Sequence, residues 1–246
     1  MTINLFSEIG QVFQLLFGIF RSFIHIPRSR KLVIYQMEHI GVNSLPLVLI
    51  IAVFTGAVAA WQAAYQLKGI APISFLGGAT SRAIITELAP VLTGIIIAGR
   101  VGASIAAELG TMKVTEQIDA LETMAISPVR YLAMPRFVAS VIMMPLIAIF
   151  ANVIAVVGAY FVADYFLGVS PAVFFTSVKR YFSMYDFMSG LIKTVFFGGV
   201  TSLIGCHIGL RTDGGAEGVG LATIRSFVLS AALILILDYV LWMLIF

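Results

Sequence analysis

Apolar positions along this chain fall in long blocks instead of the short alternations that mark strands. Ile40 to Leu67 is a run of 28 residues without a formal charge, and Phe137 to Ala163 is another of 27. About 20 apolar residues in a helix cross a bilayer, so each block predicts one span. The full pattern predicts five transmembrane helices, at about 43–66, 83–109, 137–163, 191–210 and 225–246. Pro145 lies inside the third and is expected to bend it without ending it. Ahead of the first span, Phe6, Ile9, Phe13, Leu16, Phe17 and Phe20 recur at helical spacing opposite Ser7, Glu8, Gln11 and Gln14. That pattern predicts an amphipathic helix in the membrane interface over about 1–31, held by Arg21, Arg28, Arg30 and Lys31; a further span is the competing reading. Residues 164–190 mix aromatics with charges and are expected to form an interfacial loop.

Composition agrees. The 246 residues are 60% hydrophobic and 11% charged, with a mean hydropathy of +1.04, against about a quarter charged in soluble domains. The expected fold is therefore an all-α integral membrane protein, one unit over 1–246. These figures exclude disorder and a separate soluble enzyme domain. The net charge of +3, without a basic block, excludes nucleic-acid binding. The lone Cys206 allows no internal disulfide. No cleavable signal peptide is expected, because the first cation, Arg21, follows the apolar stretch.

With the amino end inside, nine basic residues (Arg21, Arg28, Arg30, Lys31, Lys113, Arg130, Arg136, Arg211, Arg225) face the cytoplasm. Five (Lys68, Arg82, Lys179, Arg180, Lys193) face outward, and Arg100 stays in the membrane. The asymmetry favours this orientation.

The cytoplasmic segment 110–136, GTMKVTEQIDALETMAISPVRYLAMPR, is organised. Thr115 can cap a short helix over about 115–125, with Glu116 and Asp119 in its first turn, and Ser127-Pro128 ends it. Ile118, Leu121 and Ala125 share one face, and Glu116, Asp119 and Thr123 another. Such a helix either docks its acidic side on a soluble partner or is a solvated connector.

The run ELAPVLTGIIIAGRVGASIAAELGTMKVTEQIDALETM, continuing through SPVRYLAMPR, closely resembles the signature region of the MlaE (YrbE) permeases, membrane subunits of bacterial ABC-type lipid transporters associated with MCE proteins. The match is dense over about 87–136. The resemblance implies a homodimer in the bacterial inner membrane that moves phospholipid and helps maintain outer-membrane lipid asymmetry. It implies an ABC ATPase subunit that binds ATP, an MCE-domain protein on the opposite face, and room for a small STAS-type cytoplasmic subunit. It makes 115–125 the coupling helix, with Glu116, Asp119, Leu121 and Glu122 as its contacts. Independently, no G-x-x-x-x-G-K-[ST] loop occurs, so no nucleotide cofactor is expected in this chain.

Charges within the second span need compensation. Arg100, Ser104 and Glu108 follow at i, i+4 and i+8, which predicts one network on one face. Glu87 precedes Pro90, whose missing N–H leaves the Thr86 carbonyl without its usual donor. Glu87 and Pro90 suit a cavity wall, and the resemblance implies that this wall belongs to a lipid cavity at the dimer interface; pairing of Glu87 with Arg82 at headgroup level is the alternative. Gly99, Gly102, Ala103, Ala106 and Gly110 form a small-residue stripe, as do Gly198, Ser202, Gly205 and Gly209; either can pack within or between subunits. His25, His39 and His207 lack metal-ligand spacing, no catalytic constellation is set out, and Asp238 in the last span has no assigned partner. Asp213-Gly214-Gly215 and Gly218 to Gly220 read as a flexible turn. Two other functions compete with the lipid permease: an ion-coupled secondary transporter and an integral-membrane lipid-modifying enzyme.

Overall fold

The computed structural model describes residues 2–245, with side chains from Ser7 onward. Phe6, placed above on the apolar face of the first helix, and Phe246, placed at the end of the last span, lie outside those limits. The described residues are almost all helical and contain no strand.

Helices α1 (Thr2–Ser22), α2 (Ile26–Ile40) and α3 (Leu45–Leu67) follow one another through short 3₁₀ turns at Phe23–His25 and Val42–Ser44. Pro27 and Pro46 sit in the first turns of α2 and α3, where a missing N–H is harmless. In α1, Val12, Leu15, Leu16 and Ile19 pack inward, while Phe13 and Phe17 are turned out.

The second span is longer than its apolar run. It comprises α4 (Leu76–Ala83), α5 (Ala89–Ile97) and α6 (Ala103–Val114), joined by π turns at Ile84–Leu88 and Ala98–Gly102. A short helix, α7 (Gln117–Thr123), and a π turn at Val129–Ala133 lead into α8 (Met134–Tyr165), which continues through Pro145. Residues 164–190 are not a loop: they contain α9 (Pro171–Tyr181) and the start of α10 (Met184–Gly209). Helix α9 carries a fully buried Phe174, and a Cβ on Gly77 of α4 would stand 2.3 Å from the Phe174 carbonyl oxygen. The chain ends in α11 (Gly215–Ile245), so Gly218 to Gly220 belong to its opening turns; only Gly214 and Gly215, with φ of 90° and 65°, make the bend.

Five helical stretches are long and apolar enough to cross a membrane: Ser7–Leu67, Ile73–Val114, Val129–Tyr165, Met184–Gly209 and Gly215–Ile245. Alternation along the chain puts α7 at one end of the bundle and α9 at the other.

Close backbone contact holds the bundle. A Cβ on Gly56 of α3 would fall 1.7 Å from the carbonyl oxygen of Ala155 in α8, and one on Gly158 would fall 2.2 Å from that of Val53. The two helices therefore touch main chain to main chain, which supplies dispersion energy where lipid removes the hydrophobic driving force. The small-residue stripes of the second and fourth spans meet within the chain. A Cβ on Gly205 would stand 2.9 Å from the Gly102 carbonyl oxygen, and Ser226 of α11 donates to that same oxygen at 2.9 Å.

Candidate functional site

At the α7 end, α6 closes with Thr115, whose hydroxyl donates back to the Thr111 carbonyl at 2.7 Å. Thr115 therefore does not cap α7. The chain reverses at Glu116, which is left-handed with φ 60°, and this residue takes the N-cap position without a side-chain cap bond. Ile118 is buried and Leu121 packs partly against the core, while Glu116, Asp119 and Glu122 are exposed. Ala125, expected to share the face of Ile118 and Leu121, lies beyond the helix at φ 59° and is exposed. Lys113 grips Asp119 at 2.7 Å, so α7 is tied to the end of α6.

Beside it lies an ion cluster. Arg136, 7% exposed, donates to Glu108 at 2.9 Å and to the Leu132 carbonyl at 3.0 Å; Ser104 donates to Glu108 at 3.1 Å, and His39 Nε2 stands 4.0 Å from the same carboxylate. Arg100 is not part of this network, contrary to its i, i+4, i+8 spacing. It lies in the π turn Ala98–Gly102, whose extra residue rotates it away from Ser104 and Glu108. Its guanidinium instead donates to Ser44 at 2.5 Å and to the His39 carbonyl at 3.5 Å.

Toward the α9 end, a second cluster forms inside the bundle. The π turn Ile84–Leu88 precedes Pro90, with Ala89 N–H donating to the Ile84 carbonyl, and it carries Glu87. Lys193 Nζ from α10 lies 2.5 Å from Glu87 Oε1 and 2.9 Å from Asp238 Oδ1 of α11. The second contact is an ion pair without aligned hydrogen-bond geometry. The lysine side chain is completely enclosed, and Trp242 presents its ring 5.1 Å from the ammonium. The Glu87 side chain keeps 32% exposure. Arg82, the alternative partner of Glu87, pairs with Asp186 at 2.8 Å instead. Pro90 is buried, and its ring lies against the site where α10 passes at Gly190.

Lys193, expected to face outward, is a fully buried residue of α10. Its signal was available: it stands nine residues into α10, Asp238 seven before the end of α11, and at 1.5 Å per residue both lie roughly 10–14 Å in from the α9 end. Arg136, counted as a loop cation, is likewise buried in the first turn of α8. A small apolar recess of about 10 Å³ between α3, α5 and α8 is bordered by Val48, Thr55, Leu92 and Ile96. No group of metal-binding side chains occurs among the described residues.

Five apolar helices, with fixed charges inside the bundle and a short solvent-facing helix between the second and third, define a multi-pass membrane protein of the transporter-subunit class. Residues 33–244 match the family described as permease MlaE, and the chain belongs to that family. It is 40% identical over 245 residues to a probable ABC transporter permease protein of Rickettsia typhi, covering 100% of this chain and 95% of the relative. It is 35% identical over 243 residues to the intermembrane phospholipid transport system permease protein MlaE of Haemophilus influenzae, covering 97% and 92%. A chloroplastic protein of Arabidopsis thaliana, TRIGALACTOSYLDIACYLGLYCEROL 1, is 35% identical over 206 residues, covering 84% of this chain and 59% of that protein. The chain is an ABC transporter permease of the MlaE family.

Proposed function

We propose that this permease moves phospholipid between the bacterial inner membrane and an MCE-domain partner, as a homodimer driven by a separate ATPase subunit, and so helps maintain outer-membrane lipid asymmetry. The observation that carries this reading is the Glu87–Lys193–Asp238 cluster. A charge inside a bilayer costs a few kcal/mol on insertion scales, and here three are kept together, with the Lys193 ammonium enclosed and the Glu87 side chain the most open of the three. A polar group opening from an apolar wall suits the rim of a cavity that a second copy completes, with acyl chains against the walls.

Helix α7 is the part suited to receive force from the ATPase. Its apolar side is anchored through Ile118 and Leu121, it is braced by Lys113–Asp119, and it presents Glu116, Asp119 and Glu122 to solvent. ATP is then bound by the partner, this chain carries no catalytic residue, and a small STAS-type subunit has room beside the ATPase. The test is lipid transport by Glu87→Arg in the assembled transporter. Normal expression with abolished transport is the expected outcome, and normal transport removes Glu87 from the pathway. Mass spectrometry of lipids co-purified with the intact complex reads the substrate directly.

The same cluster gives some support to an ion-coupled carrier, because it gathers titratable groups in the membrane. Purification with a stoichiometric ATPase favours the ABC reading; uptake by the chain alone, driven by a proton gradient, favours the carrier.

A further inference from the structure

At the α9 end, α9 and the 3₁₀ turn Ile73–Phe75 enclose an open cleft of about 340 Å³. This lies within the range of about 300–1,000 Å³ in which small ligands lodge. Its walls come from helical spacing: Ala172, Thr176 and Arg180 form one stripe of α9, and Val173, Ser177 and Tyr181 the next. Phe75 packs against Tyr181 with ring centroids 5.8 Å apart, and the Arg180 guanidinium rests 5.9 Å from the Tyr181 centroid. One side of the cleft is thus aromatic and aliphatic, and the other is cationic.

Arg180 has no acidic partner among the described residues, and the hydroxyls of Ser74 and Thr176 make no internal hydrogen bond. The neighbouring cation of this end behaves differently: Arg82 is consumed by Asp186. A guanidinium offers a planar fork of donors that matches phosphate oxygens. Here it is oriented over an aromatic shelf beside two unspent hydroxyls, at the depth where aromatic residues and cations meet lipid headgroups.

We infer that this cleft binds the phosphate of an amphiphile lying in the membrane surface, with Arg180, Ser74 and Thr176 on the phosphate and Val173, Phe75 and Tyr181 against the adjoining apolar chain. It is a second lipid-contacting site, separate from the Glu87 cluster. Its existence does not depend on which substrate the Glu87 cluster serves.

The experiment uses the full chain in nanodiscs of phosphatidylcholine with a minor fraction of ³²P-labelled phosphatidylglycerol. A photoreactive phenylalanine analogue replaces Ala172 in the cleft, or Phe150 on the exposed face of α8 as a bilayer control. The expected result is a labelled adduct at 172 that falls about fivefold in Arg180→Gln, consistent with losing one exposed charge contact. It returns in Arg180→Lys and persists in millimolar inorganic phosphate, while the adduct at 150 is unchanged throughout. The pair Ser74→Ala with Thr176→Val leaves the cation in place and lowers the same adduct, giving a second reading if Arg180→Gln aggregates. An adduct indifferent to both sets of variants overturns the site as ordinary bilayer contact. An adduct abolished by inorganic phosphate overturns the lipid source and assigns the cleft to free phosphate.

Discussion

The two ion clusters of this bundle share an ingredient list and differ in balance. Near α7, Arg136 faces Glu108, with Ser104, the Leu132 carbonyl and His39 completing the shell, so one cation meets one anion, and only the Arg136 Nε is left without an acceptor. Toward α9, one enclosed ammonium faces two carboxylates, a formal excess of one negative charge, and both carboxylate side chains are partly open, Glu87 more than Asp238. The first arrangement ties α2, α6 and α8 together and asks for nothing more. The second leaves a carboxylate whose removal would improve the charge balance, the mark of a group kept for something other than stability.

Removing the ammonium breaks that comparison most severely. Lys193→Ala leaves two carboxylates facing each other in a bundle that excludes water, and loss of one partner from a buried pair costs about 3–5 kcal/mol. Thermal unfolding of the purified protein in detergent should show the largest drop of the series, and adding Glu87→Gln and Asp238→Asn should recover most of it. Arg136→Ala comes next, at about 2–3 kcal/mol, because charge-assisted hydrogen bonds are lost while Glu108 keeps some access to water. Its lipid transport should fall only as far as the folded fraction falls.

Glu87→Gln inverts the pattern. It leaves Lys193 and Asp238 as a balanced pair, so stability should change by about 1 kcal/mol or less, while transport should drop at least about tenfold, equivalent to about 1.4 kcal/mol. A parallel loss of stability and transport would erase the distinction between the clusters. The smallest effect on folding belongs to Glu116→Arg with Asp119→Arg, on the exposed side of α7. Loss of the exposed Lys113–Asp119 pair should lower stability by about 1 kcal/mol or less while co-purification of the ATPase is lost, and undiminished co-purification would remove α7 from the coupling role.

The number of spans was legible because apolar runs of 27 or 28 residues admit no other solvent than lipid. Their limits were less so. Leu76–Ala83 carries few large apolar residues, and it enters the bundle because Gly77 and Gly78 let α9 approach, a contact that no local pattern announces. Helix α9 itself was hidden by its aromatics, which point partly to the outside. The spacing of Arg100, Ser104 and Glu108 promised a single face on the assumption of 3.6 residues per turn, and a π turn withdrew it. Ser104 and Glu108 do meet, but the cation that completes their cluster, Arg136, stands 28 positions away in sequence. Lys193, three residues into the expected 191–210 span, was placed on the outer side because its two carboxylate partners, Glu87 and Asp238, lie on other helices 106 and 45 positions away.

The main-chain contact between Gly56 and Ala155, repeated at Gly158 and Val53, has a mechanical meaning. Interlocked side chains can slide by exchanging rotamers; two backbones in contact at successive turns have no such freedom. Helices α3 and α8 therefore behave as one strut. At 1.5 Å per residue the 32 residues of α8 reach about 48 Å, from the turn that follows α7 to the foot of α9. The α7 end and the α9 end of the bundle are thus joined by one continuous helix, braced by α3 at Ala155 and Gly158.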